Sequence, residues 1–144
     1  MAKYLGKNVA LELDVSDNPE SPDWEVVVCM TNNGLSGTRD TIDANSKCGT
    51  DQLPGDKTDT AEFEGFFIDN PEAGAQVTMN TMAEIFDDGT TRHWRFISVD
   101  GTTIYREFNG SISDYNETFN NGEAVGYNGT IAVSGDIIRE APTT

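Results

Sequence analysis

KNVALELDVSDNPESPDWEVVVCM, residues 7–30, is the stretch from which the fold can be read. Val9, Leu11, Leu13 and Val15 alternate with Asn8, Ala10, Glu12 and Asp14, the period-two pattern of a strand with one buried face. Ser16 to Asp23 is rich in Pro, Asp and Ser, which set or tolerate the backbone angles of a turn. Trp24 to Met30 then predicts a second strand, folded back on the first as a hairpin. It is apolar at nearly every position, so it needs cover on both faces, from a core or from a partner subunit.

The same alternation returns further along. Ala61 to Ile68 (AEFEGFFI) predicts a strand with Gly65 at a bulge. Arg92 to Val99 predicts another, ended by Asp100-Gly101, a strong hairpin signal. Thr102 to Asp114 follows, and after Asn120-Asn121-Gly122 the last strand runs from Glu123 to Arg139. There Val125, Tyr127, Ile131, Val133 and Ile137 share one parity, with Gly129 and Gly135 at bulges or close contacts. One segment has helical spacing instead. Asn70 and Pro71 suit a helix start, Ala75, Met79, Met82, Ala83 and Phe86 recur on one face, and Gly89 ends the run, predicting a helix over about 72–87. Residues 31–60 hold Asn, Gly, Ser and Pro with few bulky apolar side chains. They read as a long polar loop, either a floppy insertion or a segment that orders against another molecule. The expected fold is mainly β: two packed antiparallel sheets, as a sandwich or partial barrel, with one short helix. The 144 residues form a single domain, with an arm at 1–6 and a tail at 140–144.

With 25 Asp and Glu against 9 Lys and Arg, the net charge is −16. The acids are scattered, so they make a negative surface rather than an acidic tail, and such a surface repels phosphates. Sequence-specific nucleic-acid binding is therefore not expected. The stretch Met1–Lys7 has no apolar core of a signal peptide, and no run reaches the roughly 20 apolar residues of a membrane span. The expectation is a soluble chain made inside the cell, with no membrane anchor. Cys29 and Cys48 are the only cysteines and read as thiols, although a bridge between them is left open.

A catalytic set is hard to assemble from these residues. His93 is the only histidine, which excludes sites built on two imidazoles and reads more readily as structural than as a base. Cys-x-x-Cys, a nucleophile elbow, a P-loop and a dinucleotide fingerprint are all missing from the sequence. The acids at 14, 17 and 23 and at 87–88 lack the spacing of a calcium loop. No enzyme activity, cofactor or metal is expected. A small carbohydrate-binding β-sandwich is the alternative, with Trp24, Trp94 and Tyr105 as its aromatic platform.

Taken in order, the opening hairpin, the polar stretch containing Ile42–Gly49 (IDANSKCG), the helix, Phe108–Ser113 (FNGSIS) and Asn128–Asp136 (NGTIAVSGD) resemble the major tail tube proteins of long-tailed bacteriophages. The likeness spans nearly the whole chain and rests on the order of these features, and another phage tail or head component is the alternative within it. It implies a fold shared with contractile-tail and type VI secretion tubes, and homo-hexameric rings whose strands join an inner β-barrel. It also implies stacking of those rings into a tube around a tape measure protein. Tail terminator and tail tip proteins would be the other partners, and phage DNA would pass without specific binding. The chain would reside in the virion tail after synthesis in the host cytoplasm. Within that frame Glu12, Asp14 and Glu25 are candidates to face an acidic lumen. Residues 31–60 would make the contact between rings, with Arg39, Asp40 and Asp43 as candidate polar partners there.

Overall fold

The computed structural model describes residues 5–16, 20–27, 30–46, 49–67 and 77–141, with backbone alone at Lys7 and over 41–55. After a short 3-10 turn at Gly6–Asn8 come β1 (Val9–Asp14), β2 (Trp24–Val26), β3 (Met30–Ser46) and β4 (Gly49–Phe66). Helix α1 (Met79–Asp88), β5 (Arg92–Ser98), β6 (Tyr105–Thr118) and β7 (Gly126–Ile138) complete the chain.

The expected opening hairpin is present: Glu12 pairs with Val26, Leu13 with Glu25 and Asp14 with Trp24. Its second strand is shorter than its apolar composition suggested. Val27 leaves the ladder to make a parallel bridge to Val77 and is buried, whereas Val26 stays exposed, so the cover expected on both faces is only partly present within the subunit. The two expected sheets are joined in hydrogen bonding. All seven strands lie in one antiparallel sheet, in the order β2-β1-β5-β6-β7-β4-β3. The sheet curls until β1 approaches β3, yet it does not close. The result is a partial barrel around one core.

That core follows from the parities. Leu11 and Leu13 on β1, Trp94 and Phe96 on β5, Phe108 and Ile112 on β6, Tyr127 and Ile131 on β7, and Ala61 and Phe63 on β4 form one buried cluster. Trp94 is fully buried, and its indole N–H donates to the Gly110 carbonyl at 3.0 Å, so its one polar atom is satisfied. Curling brings β6, β7 and β4 close at Gly129. A Cβ there would lie 2.4 Å from the Asp114 carbonyl oxygen and 2.6 Å from Phe63 Cζ. Glycine is needed at that crossing for lack of a side chain, the close contact its place in the strand pattern suggested.

Two expectations about local structure change. The helix starts at Met79 with Thr78 at its N-cap, while Asn70, Pro71 and Ala75 lie outside the described residues. Val77 and Thr78 are extended because Val77 is taken by the bridge to Val27. The C-terminus is as read: Gly89 is left-handed at φ 66°, and its amide donates to the carbonyls of Ile85 and Phe86. Met79, Met82 and Ile85 are buried, so the methionines are core filler. The Tyr115 hydroxyl donates to the Met79 carbonyl at 3.3 Å and fastens the helix to β6.

The larger correction concerns 31–60. This stretch is not a loop but most of a long hairpin, in which Asn32 pairs with Glu64, Gly37 with Asp59 and Ser46 with Gly49. Gly, Asn, Asp and Pro are weak strand formers, and what makes this stretch a strand is the cross-strand ladder, which propensity does not record. Cys29 and Cys48, the arm at 1–4 and the tail beyond 141 lie outside the described residues.

Candidate assembly surfaces

The convex side of β2-β1-β5-β6 carries most of the buried polar chemistry. Asp14 ends β1 on its polar parity, yet it is fully buried. Its Oδ1 accepts from the Ser16 amide at 3.0 Å, the Ser16 hydroxyl at 2.5 Å and the Asp23 amide at 2.9 Å, closing the turn of the first hairpin. Its Oδ2 lies 3.4 Å from His93 Nδ1. Burial works to raise the Asp14 carboxyl, but the hydrogen bonds from Ser16, Asp23 and His93 outweigh it and hold the group below the ordinary aspartate range.

His93 is itself buried, its other ring nitrogen 2.6 Å from Glu107 Oε2, while the Tyr105 hydroxyl donates to Glu107 Oε1. Glu12 accepts from Arg95 Nε at 2.6 Å, and the Arg95 guanidinium lies 4.4 Å from the Trp24 ring centroid. Trp24 also leans on the His93 ring, with centroids 4.6 Å apart. Each charge here has a partner within the subunit. The arrangement ties the four strands together.

Of the expected lumen residues, Asp14 is thus an interior group and Glu12 is half-buried against Arg95. Glu25 is partly buried on β2, its carboxyl raised by burial and by the charge of Asp23. The expected aromatic platform does not form, because Trp94 and Tyr105 are buried. Sequence reasoning missed the pairing of Glu12 with Arg95 and of His93 with Asp14 and Glu107. Polar parity on β1 and β5 was visible, but nothing local says that these strands are neighbours. Among the described residues no group of three His, Cys, Asp or Glu is placed to hold a metal, and no helix is long and apolar enough to cross a membrane.

The other half of the sheet turns several of its acids outward. Across β4, β7 and β6 the register aligns Glu62 with Thr130 and Asp114, and Glu64 with Asn128 and Asn116. Glu62, Glu64 and Asp114 are exposed, and Asn116 Nδ2 donates to Asn128 Oδ1 at 3.2 Å. Beyond Thr60, β4 leaves β7 and, among the described residues, pairs with β3 alone, so the outer part of the hairpin leaves the sheet as a two-stranded ribbon. Arg39 and Asp40 lie exposed near its base, with a slip in the ladder between Arg39 and Thr41, and Asp43 pairs with Gln52 nearer the tip. The terminal strands β2 and β3 each have one strand neighbour in the sheet, so the subunit presents two edges.

The fold is that of tube-building subunits. A tail protein of an empty gene transfer agent particle, solved with C6 symmetry, superposes with a TM-score of 0.77 at 20% identity, over 96% of this chain and 100% of that one. The SPP1 tail tube gives 0.76 at 11% identity, over 99% and 81%. The tube-terminating cap of the anti-feeding prophage gives 0.65 at 13%, over 99% and 93%. No curated protein matches by sequence. The profile of the phage tail tube proteins matches residues 4–139, and the chain belongs to that family. The family is a structural one, of virion tails, and not a family of enzymes.

Proposed function

We propose that the chain forms hexameric rings that stack into a hollow tail tube, through which DNA leaves the particle. The observation that carries this reading is the open seven-stranded sheet with an edge strand on each side. Edges of this kind favour pairing with another chain, and β3 of one copy against β2 of the next is a head-to-tail contact that closes when the rotation per subunit divides a circle. Six copies is the number supported by the C6 symmetry of the gene transfer agent tail. The ribbon reaches towards another ring, with Arg39, Asp40 and Asp43 along it.

The lumen wall is the outward face of β6-β7-β4, lined by Glu62, Glu64 and Asp114, with Glu25 as the remaining candidate from the first hairpin. A negative wall repels the DNA backbone and keeps it moving. The tape measure protein would occupy the lumen during assembly, and terminator and tip proteins would bind the two ends. The mature subunit would sit in the virion tail after synthesis in the host cytoplasm.

Negative-stain microscopy of the purified chain tests the core of this reading. Rings or tubes with a central hole are expected, and a monodisperse monomer at high concentration would overturn it. Reversing Glu62, Glu64 and Asp114 to Lys tests the lumen separately. Tubes should still form, but particles carrying them should eject DNA more slowly. Unchanged ejection would remove these residues from the wall.

A further inference from the structure

Four Asn-Gly pairs occur in the chain, at 33–34, 109–110, 121–122 and 128–129. Such a pair can react with itself. The glycine amide nitrogen attacks the asparagine Cγ, and glycine has no Cβ to shield that nitrogen. The attack requires the nitrogen to be free of other bonds and the backbone to turn towards the side chain.

The fold treats the four pairs differently. Asn109-Gly110 lies in β6 between β5 and β7, where Gly110 pairs with Arg92 on one side and Val133 on the other. Asn128-Gly129 lies in β7 between β6 and β4, with Gly129 opposite Tyr115 and Phe63. Whichever way these two amides point, they face a partner strand. Both glycines are also buried, and a Cβ would meet a neighbouring carbonyl oxygen at 2.7 Å at Gly110 and 2.4 Å at Gly129. Asn33-Gly34 lies in β3 opposite Phe63 and Glu62, with Asn33 Oδ1 shut off from solvent.

Asn121-Gly122 stands apart, in the turn between β6 and β7. Both residues are exposed, and Gly122 has a left-handed φ of 81° with open space where a Cβ would stand. The Glu123 amide closes the turn by donating to the Asn120 carbonyl at 3.2 Å. The Gly122 amide itself meets no acceptor among the described residues. At the two Asp-Gly turns, by contrast, Gly101 donates its amide to Ser98 and Gly89 donates to Ile85 and Phe86.

We infer that Asn121 is a site of spontaneous modification, at which the side-chain amide is lost through a cyclic imide. The Gly122 nitrogen bonds to Asn121 Cγ, the Cγ–Nδ2 bond breaks, and ammonia leaves with the proton of the Gly122 amide. Water then opens the imide. Cleavage at Cγ leaves an aspartate, and cleavage at the main-chain carbonyl leaves an isoaspartyl link that runs the backbone through the side-chain carbon. Either product adds a negative charge beside Glu123 to a chain of net charge −16. The isoaspartyl link also lengthens the turn and pulls against the bond from Glu123 to Asn120. The reaction needs no assembly and is independent of the tube reading.

The test follows the full folded chain in mildly alkaline buffer by peptide mapping with mass spectrometry, with isoaspartyl carboxyls marked by enzymatic methylation. Asn121 should convert at least about tenfold faster than Asn33, Asn109 or Asn128, because attack at those three waits for a strand to open. In denaturant the four pairs should convert at similar rates. Asn121→Gln should remove most of the acidic species that builds up in the folded native chain on isoelectric focusing. Comparable rates at all four sites in the folded chain would overturn the inference. So would a folded chain in which Asn121 stays intact while the denatured chain reacts. An equal lead for Asn121 in denaturant would overturn the turn as the cause of its selection.

Discussion

In the β2-β1-β5-β6 half of the sheet the charges close on one another inside the subunit. Asp14 binds two backbone amides and a hydroxyl, and Glu12 holds Arg95 against Trp24. His93 sits between Asp14 and Glu107. In the other half Glu62, Glu64 and Asp114 stand outward, and among the described residues the outer part of the hairpin has no ladder beyond its own. The polar groups of the first half serve the fold, and the outer ribbon of the second is the part that gains most from being covered. A buried charge must find its partner within the fold, because leaving it unpaired costs several kcal/mol. An exposed charge on a ribbon costs little and remains available to a neighbour.

Substitutions should separate the halves by the size of their effect on the isolated chain. The largest is expected at Trp94, which fills the core under β1 and β6. Trp94→Ala should cost about 3–5 kcal/mol in chemical denaturation, and a loss below about 1 kcal/mol would mean that the half does not pack around this ring. Next is Asp14→Asn, which keeps an acceptor for the turn but removes the charge beside His93, at a cost of about 1–3 kcal/mol.

The same residue gives the stable half a pH dependence of known sign. The folded Asp14 carboxyl titrates below its unfolded value, so its contribution is complete above about pH 4. It is lost as pH falls through the lowered folded value. The melting temperature of the native chain should therefore drop more steeply below pH 4 than that of Asp14→Asn, and parallel curves would show that the turn does not depend on this charge.

The smallest effect is expected in the other half. Replacing residues 41–54 by a two-residue turn should change the stability of the monomer by less than about 1 kcal/mol and yet abolish assembly. A truncated chain that still builds tubes would reverse the division between the halves.

How much was legible follows the same line. The first hairpin, the Asp100-Gly101 turn, the parity of β7 and the glycine end of α1 were readable because each is decided by residues within a few positions of one another. The ribbon was not, since Gly34, Ser36, Gly37 and Pro54 argue against a strand locally and become one only through partners on the opposite strand. Asp14 was misplaced for a related reason. Alternation puts it on the polar face of β1, but the turn amides and His93 from β5 fold over that face.

By itself the sequence determined a mainly β chain, an acidic surface and the absence of a recognisable catalytic pattern, since composition and period-two spacing act through near neighbours. Its tail tube resemblance came from the order of features along the chain, and the family match over residues 4–139 agrees with it. Only the tertiary structure decided that seven strands make one open sheet, that 31–60 is a ribbon, and that the outward acids lie on β4 and β6 rather than β1. Those facts depend on pairing between residues far apart in the chain, such as Val9 with Ser98, and such pairing is chosen by the packing of the whole core rather than by any stretch within it.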